Sequence, residues 1–256
     1  MLAKDVFLTE SLTKSILEID GGVLFKKLDE DIFPTETCQM SYSYLEIIKI
    51  IKDECSKITL IYSKKIDGRI TSAVKENEYL TLLEEGIAKR YRTLRFQKQP
   101  SDRWWWDFRV NEIPFNLKLT TGGTDNAFNK VAIIYSLSGK EVDKKNMNYN
   151  QFIRTIREFP MKTERVQQTE YHYLVVNKNT GEILLKSIFD IHLFKSNPSN
   201  NLQINWAHEF KNINYTTPNI NQAKNNLLKT IQTSVRKAIE GMKEFADADI
   251  DLITPL

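Results

Sequence analysis

The chain has 256 residues, 41% of them apolar, and carries 36 Lys and Arg against 33 Asp and Glu for a net charge of +3. That length and apolar fraction exclude disorder as a global description and suit one large core, while no apolar run approaches the roughly 18 residues of a spanning helix. The near-balanced charge makes no case by itself for a nucleic-acid partner. The start Met1-Leu2-Ala3-Lys4-Asp5 lacks the apolar stretch of a secretory signal, so a cytoplasmic setting without membrane contact is expected. Cys38 and Cys55 are too few for a disulfide framework and read as free thiols.

In chain order, Tyr44, Leu45, Ile47, Ile48, Ile50 and Ile51 recur with helical spacing between residues 41 and 57, and Thr59-Leu60-Ile61-Tyr62 reads as a short extended run. From Glu76 to Leu94, Leu80, Leu83, Ile87, Tyr91 and Leu94 share roughly a 100° arc, which predicts an amphipathic helix with Glu84 at the margin of its apolar face. The stretch from Lys89 to Lys98 holds five basic residues and no acid; it suits a helix end complementing the dipole and a phosphate contact equally well. Residues 104–120 read as a β-hairpin and Ala127 to Ser138 as a helix stopped by Gly139, while residues 140–170 are charged and weakly patterned. Extended stretches at 171–177 and 182–194 flank a turn at Lys178-Asn179-Thr180-Gly181. An Asn-, Ser-, Thr- and Pro-rich region at 195–221 favours loops. Last comes a helix whose stripe runs Leu227, Leu228, Ile231, Val235, Ala238, Ile239, Met242, Phe245.

The hairpin carries the chemistry. Phe115, Leu117 and Leu119 alternate with Asn116, Lys118 and Thr120, and Trp106, Phe108 and Val110 alternate with Asp107 and Arg109. A reversal at Asn111-Glu112 pairs Val110 with Ile113 and Phe108 with Phe115, so Asp107 faces Asn116 with Cβ atoms about 5 Å apart and Lys118 sits diagonally on the same face. A carboxylate, an amide oxygen and an ammonium then converge, a set suited to Mg²⁺ and to metal-assisted phosphodiester hydrolysis with Lys118 offsetting phosphorane charge. An ordinary Asp–Lys surface pair satisfies the same spacing.

Asp107, followed nine residues later by Asn116-Leu117-Lys118 and then by Thr120-Thr121-Gly122-Gly123-Thr124-Asp125-Asn126 and a helix, resembles the core of the PD-(D/E)XK nucleases, in particular type II restriction endonucleases. Phe194-Lys195-Ser196-Asn197-Pro198-Ser199, Leu202-Gln203-Ile204-Asn205-Trp206-Ala207 and the terminal helix are similar to the C-terminal part of the HincII-type blunt cutters. The resemblance implies an α/β, restriction-endonuclease-like core with a mixed central sheet flanked by helices. It implies a homodimer on double-stranded DNA, Mg²⁺ dependence, no nucleotide cofactor, and sequence-specific cleavage leaving 5′-phosphates. On that reading residues 1–256 form one nuclease domain: a mixed region at 1–75, the catalytic core at 76–140, and sheet completion, recognition loops and the last helix at 141–256.

Mapped by motif, Asp107, Asn116 and Lys118 take the catalytic positions, and the Leu117 carbonyl joins Asp107 and Asn116 as a metal ligand. The chain departs from the family in having Trp106 for the usual proline and Asn116 for an acid; the second change removes a negative charge, for which Glu84 is the candidate replacement. The loop and helix after the lysine would approach DNA through Thr120, Thr121, Thr124, Asn126, Asn129 and Lys130, with Asn205 and His208 contributing from the downstream segment. Asn205 would read a base edge, or else hold its loop. The Trp104-Trp105-Trp106 run packs under the hairpin, with base stacking by Trp104 left open. His172, His192 and His208 are widely spaced, and no ligand pattern links them. Two rivals stay open: a DNA-binding module with weakened catalysis, which Asn116 permits, and a nuclease of this core acting on structured DNA or RNA in repair or defence.

Overall fold

The computed structural model describes residues 42–59, 69–142, 147–217 and 219–247. Residues 60–62 of the predicted run at 59–62, Cys38, and residues 1–41 and 60–68 of the mixed region expected at 1–75 lie outside those residues.

A five-stranded mixed sheet forms the centre. It takes β1 (Phe96–Lys98), β2 (Phe108–Val110), β3 (Ile113–Thr120), β5 (His172–Asn177) and β6 (Ile183–Ser187) in the spatial order β1-β2-β3-β5-β6. Only β3 and β5 run parallel; the other neighbours are antiparallel. A small antiparallel sheet of β4 (Thr124–Asn126), β8 (Gln203–Asn205) and β7 (Phe194–Lys195) stands beside it.

Strand alternation decides what each face of the large sheet covers. Phe108, Val110, Ile113, Phe115, Leu117 and Leu119 share one buried cluster with Ile47, Ile50 and Ile51 of α1 (Tyr44–Cys55) and Leu80, Leu83 and Ile87 of α2 (Arg69–Arg90). Tyr173, Val175 and Leu184 point the other way. They pack with α3 (Lys130–Ser138), Phe152 of α4 (Tyr149–Glu158), Trp206 of α5 (Trp206–Lys211) and Leu227 and Ile231 of α6 (Ile220–Asp247). Burying both faces is what a sheet with a parallel strand pair requires.

Local chemistry sets the ends of these elements. Ser43 and Glu46 form a capping box at the start of α1, and Asn129 caps α3, which ends at Gly139 in the left-handed region. The hairpin turns through Asn111 (φ 45°) and Glu112 (φ 68°), the two consecutive positive φ values of a type I′ turn.

The predicted α1, α2, α3, hairpin, β5–β6 turn and last helix are present, with four differences. Trp104–Trp106 are not strand: Trp105 and Trp106 are buried, and the Arg109 guanidinium lies 4.7 Å from the Trp106 ring centroid. The stretch 140–170 contains α4, whose Asn148–Gln151 capping box and Phe152 were available as signals. The extended run at 182–194 breaks at a 3₁₀ turn, Ile188–Asp190, where the Ser187 hydroxyl accepts from the Phe189 amide. The loop region at 195–221 contains β8 and α5. Among the described residues no helix is long and apolar enough to cross a membrane.

Candidate active site

The site grows from a mismatch in strand length. β2 pairs only with residues 113–115 of β3, so β3 runs on past it while its other flank stays paired with β5 as far as Thr120. The freed flank is capped by side chains. Asp107, one residue before β2, anchors its own N–H on the Phe115 carbonyl at 2.9 Å, and its Oδ2 accepts the Leu117 N–H at 2.7 Å. Two residues on, the Leu119 N–H points to Oε1 of Glu76 in α2 at 3.4 Å. Because the N–H and C=O of a strand residue point to the same flank, the Leu117 carbonyl shares this edge.

The hairpin has the expected register, Phe108 with Phe115 and Val110 with Ile113. Continuing it by one pair sets Asp107 against Asn116, whose Nδ2 donates to Asp107 Oδ2 at 2.8 Å. The phenol of buried Tyr171 lies near the same pair: burial, then the Asp107 charge, push it up, and the Asn116 amide pulls it down. Lys118, two residues further on the same face, is close enough that its ammonium lowers the pKa of both Asp107 and Glu76.

That help is insufficient. Burial pushes the Asp107 carboxyl above its usual range despite Lys118 and the Leu117 amide. Glu76 is raised as well, first by burial and then by Asp107 and Asp125, against the opposing pull of Lys118. Asp107 and Glu76 therefore share one amine, and their upward shifts mean that full ionisation of the pair lacks compensation. Hard oxygen donors with surplus negative charge fit a divalent cation such as Mg²⁺.

Glu84 does not join this group. It pairs with Lys98 of β1 at 2.7 Å, eight residues down the helix from Glu76, or about 12 Å along the axis. Glu76 was the better choice on pattern alone, since positions 76, 80, 83 and 87 fall on one helical stripe and an acid in the middle of an apolar stripe needs a reason. Asp125 carried no such signal; its Oδ2 accepts the Trp206 indole N–H at 2.6 Å, which ties β4 to α5.

The other expected residues divide by what they already hold. Thr120 is buried, and its hydroxyl accepts from the Gly122 amide at 3.1 Å. Asn129 caps α3 and donates to the Trp105 carbonyl at 3.1 Å, while Lys130 donates to the Met147 carbonyl at 2.5 Å. All three serve the fold. Thr121, Thr124 and Asn126 stand exposed on and beside β4. Asn205 spans β4 and α5: its Oδ1 caps the His208 N–H at 2.9 Å and its Nδ2 reaches Thr124 Oγ1 at 3.3 Å.

In the basic stretch Arg90 engages Glu54, Arg95 lies 3.4 Å from Glu112, and Lys98 holds Glu84, so three of its five cations face acids. Trp104 packs edge-on against Trp106 at 6.3 Å, and Trp206 is buried. Cys55 is a buried free thiol that burial pushes up to about 12.

Comparison with protein-family models finds no match, and comparison with curated proteins finds no significant one.

Proposed function

We propose that this chain is a Mg²⁺-dependent endonuclease of double-stranded DNA with a restriction-endonuclease-like core. The observation that carries the reading is the crowding of Asp107 and Glu76 around Lys118 at the open flank of β3. Asp107, Glu76, the Asn116 amide oxygen and the Leu117 carbonyl would hold the ion, and bound Mg²⁺ supplies Lewis acidity toward the phosphodiester and a more acidic water. Lys118 orients the attacking water and offsets charge on the phosphorane. The water oxygen bonds to phosphorus and gives up a proton to solvent as the bond to the 3′ oxygen breaks, and that leaving oxygen takes a proton from solvent, so the products are a 5′-phosphate and a 3′-hydroxyl. Thr121, Thr124 and Asn126 form the DNA-facing edge beside the site, with Asn205 and His208 behind them, and a homodimer presents two such edges to the duplex.

One observation favours a second reading. The Asn116 nitrogen, not its oxygen, faces Asp107, a pairing that stabilises the hairpin without an ion and suits a DNA-binding module with weakened catalysis. Plasmid and phage DNA incubated with Mg²⁺ or with EDTA, followed by end mapping, separates these possibilities. Discrete fragments with 5′-phosphates, absent with EDTA and lost in Asp107→Ala and Lys118→Ala, support the endonuclease. Retarded DNA that Mg²⁺ and Mn²⁺ never cut supports the module. A smear, or cutting confined to structured DNA or RNA, supports a repair or defence nuclease.

A further inference from the structure

Of the three histidines that look unrelated in sequence, two come together. His172 is buried, bonds the Tyr44 hydroxyl at 2.9 Å and is pushed by burial down to about 4, so it serves the core. His192 and His208 meet at the surface: His192 Nδ1 lies 2.7 Å from His208 Nε2, with the rings stacked 4.9 Å apart. One ring nitrogen from each of these histidines and a carboxylate oxygen of Glu209 all lie within 4.8 Å of one another.

We propose that His192 and His208, with Glu209 as a third donor, form a second metal site that takes a nitrogen-preferring divalent cation of the Zn²⁺ class. Of the two facing nitrogens of neutral imidazoles in contact, one carries a proton and the other accepts it; shifting that proton to the far nitrogen of the donor ring leaves both facing nitrogens as lone pairs aimed at one point. The Asn212 amide nitrogen, 3.4 Å from His208 Nε2, marks that atom as the acceptor. Converging imidazole lone pairs are donors that Zn²⁺, Ni²⁺ and Cu²⁺ prefer and Mg²⁺ does not. On a tetrahedral ion, two such nitrogens stand roughly 3.3 Å apart, which small rotations of the present pair supply.

The surroundings hold the donors in place. Glu209 Oε2 accepts from Lys186 Nζ at 3.0 Å and from the His192 N–H at 3.1 Å, while among the described residues Oε1 accepts the Leu193 N–H alone, at 3.1 Å. Tyr215 meets the His192 ring edge-on at 4.5 Å. His192 is exposed, which gives the ion a way in. A bound ion would clamp the segment after β6 to α5, and through Asn205 to the small sheet beside the active site.

Calorimetric titration of the full chain with Zn²⁺, without DNA and against a background of excess Mg²⁺, tests this. One Zn²⁺ binds per chain; His192→Ala and His208→Ala each weaken it by at least about tenfold, and Asp107→Asn leaves it unchanged. Co²⁺ gives visible d–d bands that the same histidine variants abolish. Metal-free melting shows that the variants fold, and His192→Gln, at an exposed position, stands in should His208→Ala fail to. Zinc uptake that both histidine variants leave intact, that Asp107→Asn abolishes, or that never occurs overturns the site. DNA cleavage is not a readout, so this outcome is independent of the nuclease reading.

Discussion

The Asn116 side chain donates to Asp107 Oδ2 at 2.8 Å, on the same oxygen that receives the Leu117 N–H at 2.7 Å. Asn116→Asp replaces that donor with a second carboxylate beside the first. Without divalent ions the variant melts at a lower temperature than the parent; with Ca²⁺ its melting temperature rises by more than the parent's, because two acids bind a hard cation more tightly than one. Differential scanning fluorimetry with and without Ca²⁺ reads both effects, and a Ca²⁺ shift no larger than the parent's counts against Asn116 as a ligand position.

The raised carboxyls also set a pH dependence. An acid whose folded pKa lies above its unfolded value binds more protons when folded, so its contribution is full below the ordinary carboxylate range, about pH 4, and is lost as pH rises through the raised value. Asp107 and Glu76 are both raised. In EDTA the melting temperature therefore declines as pH climbs above that range, and Glu76→Gln flattens part of the decline. Melting curves across pH for parent and variant measure it; superimposable profiles would remove Glu76 from the site.

Arg165 grips two acids at once, Glu170 and Asp190, and donates to the Thr217 carbonyl at 2.9 Å; Glu170 is 0% exposed. Arg165→Met leaves a buried carboxylate without its cation and costs about 3–5 kcal/mol in urea denaturation. Adding Glu170→Gln recovers part of that loss, since the stranded charge is then gone.

Glu112 sits in the left-handed region at φ 68°, and its ion pairs with Arg95 and Arg109 are long, 3.4 Å each. Glu112→Gly relieves the strain and completes an Asn-Gly type I′ turn, stabilising the protein by about 0.5–1 kcal/mol. Chemical denaturation checks the sign: a loss of stability would mean that those ion pairs outweigh the backbone term.

How much of this was legible in the sequence depends on range. The hairpin register follows from two alternating runs and one turn, all within residues 107–118, and the helix caps at Asn129 and Gly139 are equally local. The second acid is not local: its choice depends on which end of α2 lies against β3, and that is set by how the helix crosses the sheet. Glu84 looked eligible as the nearer acid in sequence, yet the N-terminal half of α2 delivers Glu76. The His192–His208 contact depends on the 3₁₀ turn that breaks the long extended run and on the pairing of β7 with β8, neither of which has a periodic signature.

The carboxylates along β3 have a consequence beyond ion binding. Leu117 and Leu119 offer backbone donors on a flank that no strand among the described residues zips shut, and Asp107 and Glu76 accept from them as side-chain caps. Stripped of those acids, the flank becomes a sticky ledge on which a strand from another molecule could add. The groups assigned to chemistry thus also guard against self-association, and an alanine at position 107 should be watched for turbidity as well as for lost cleavage.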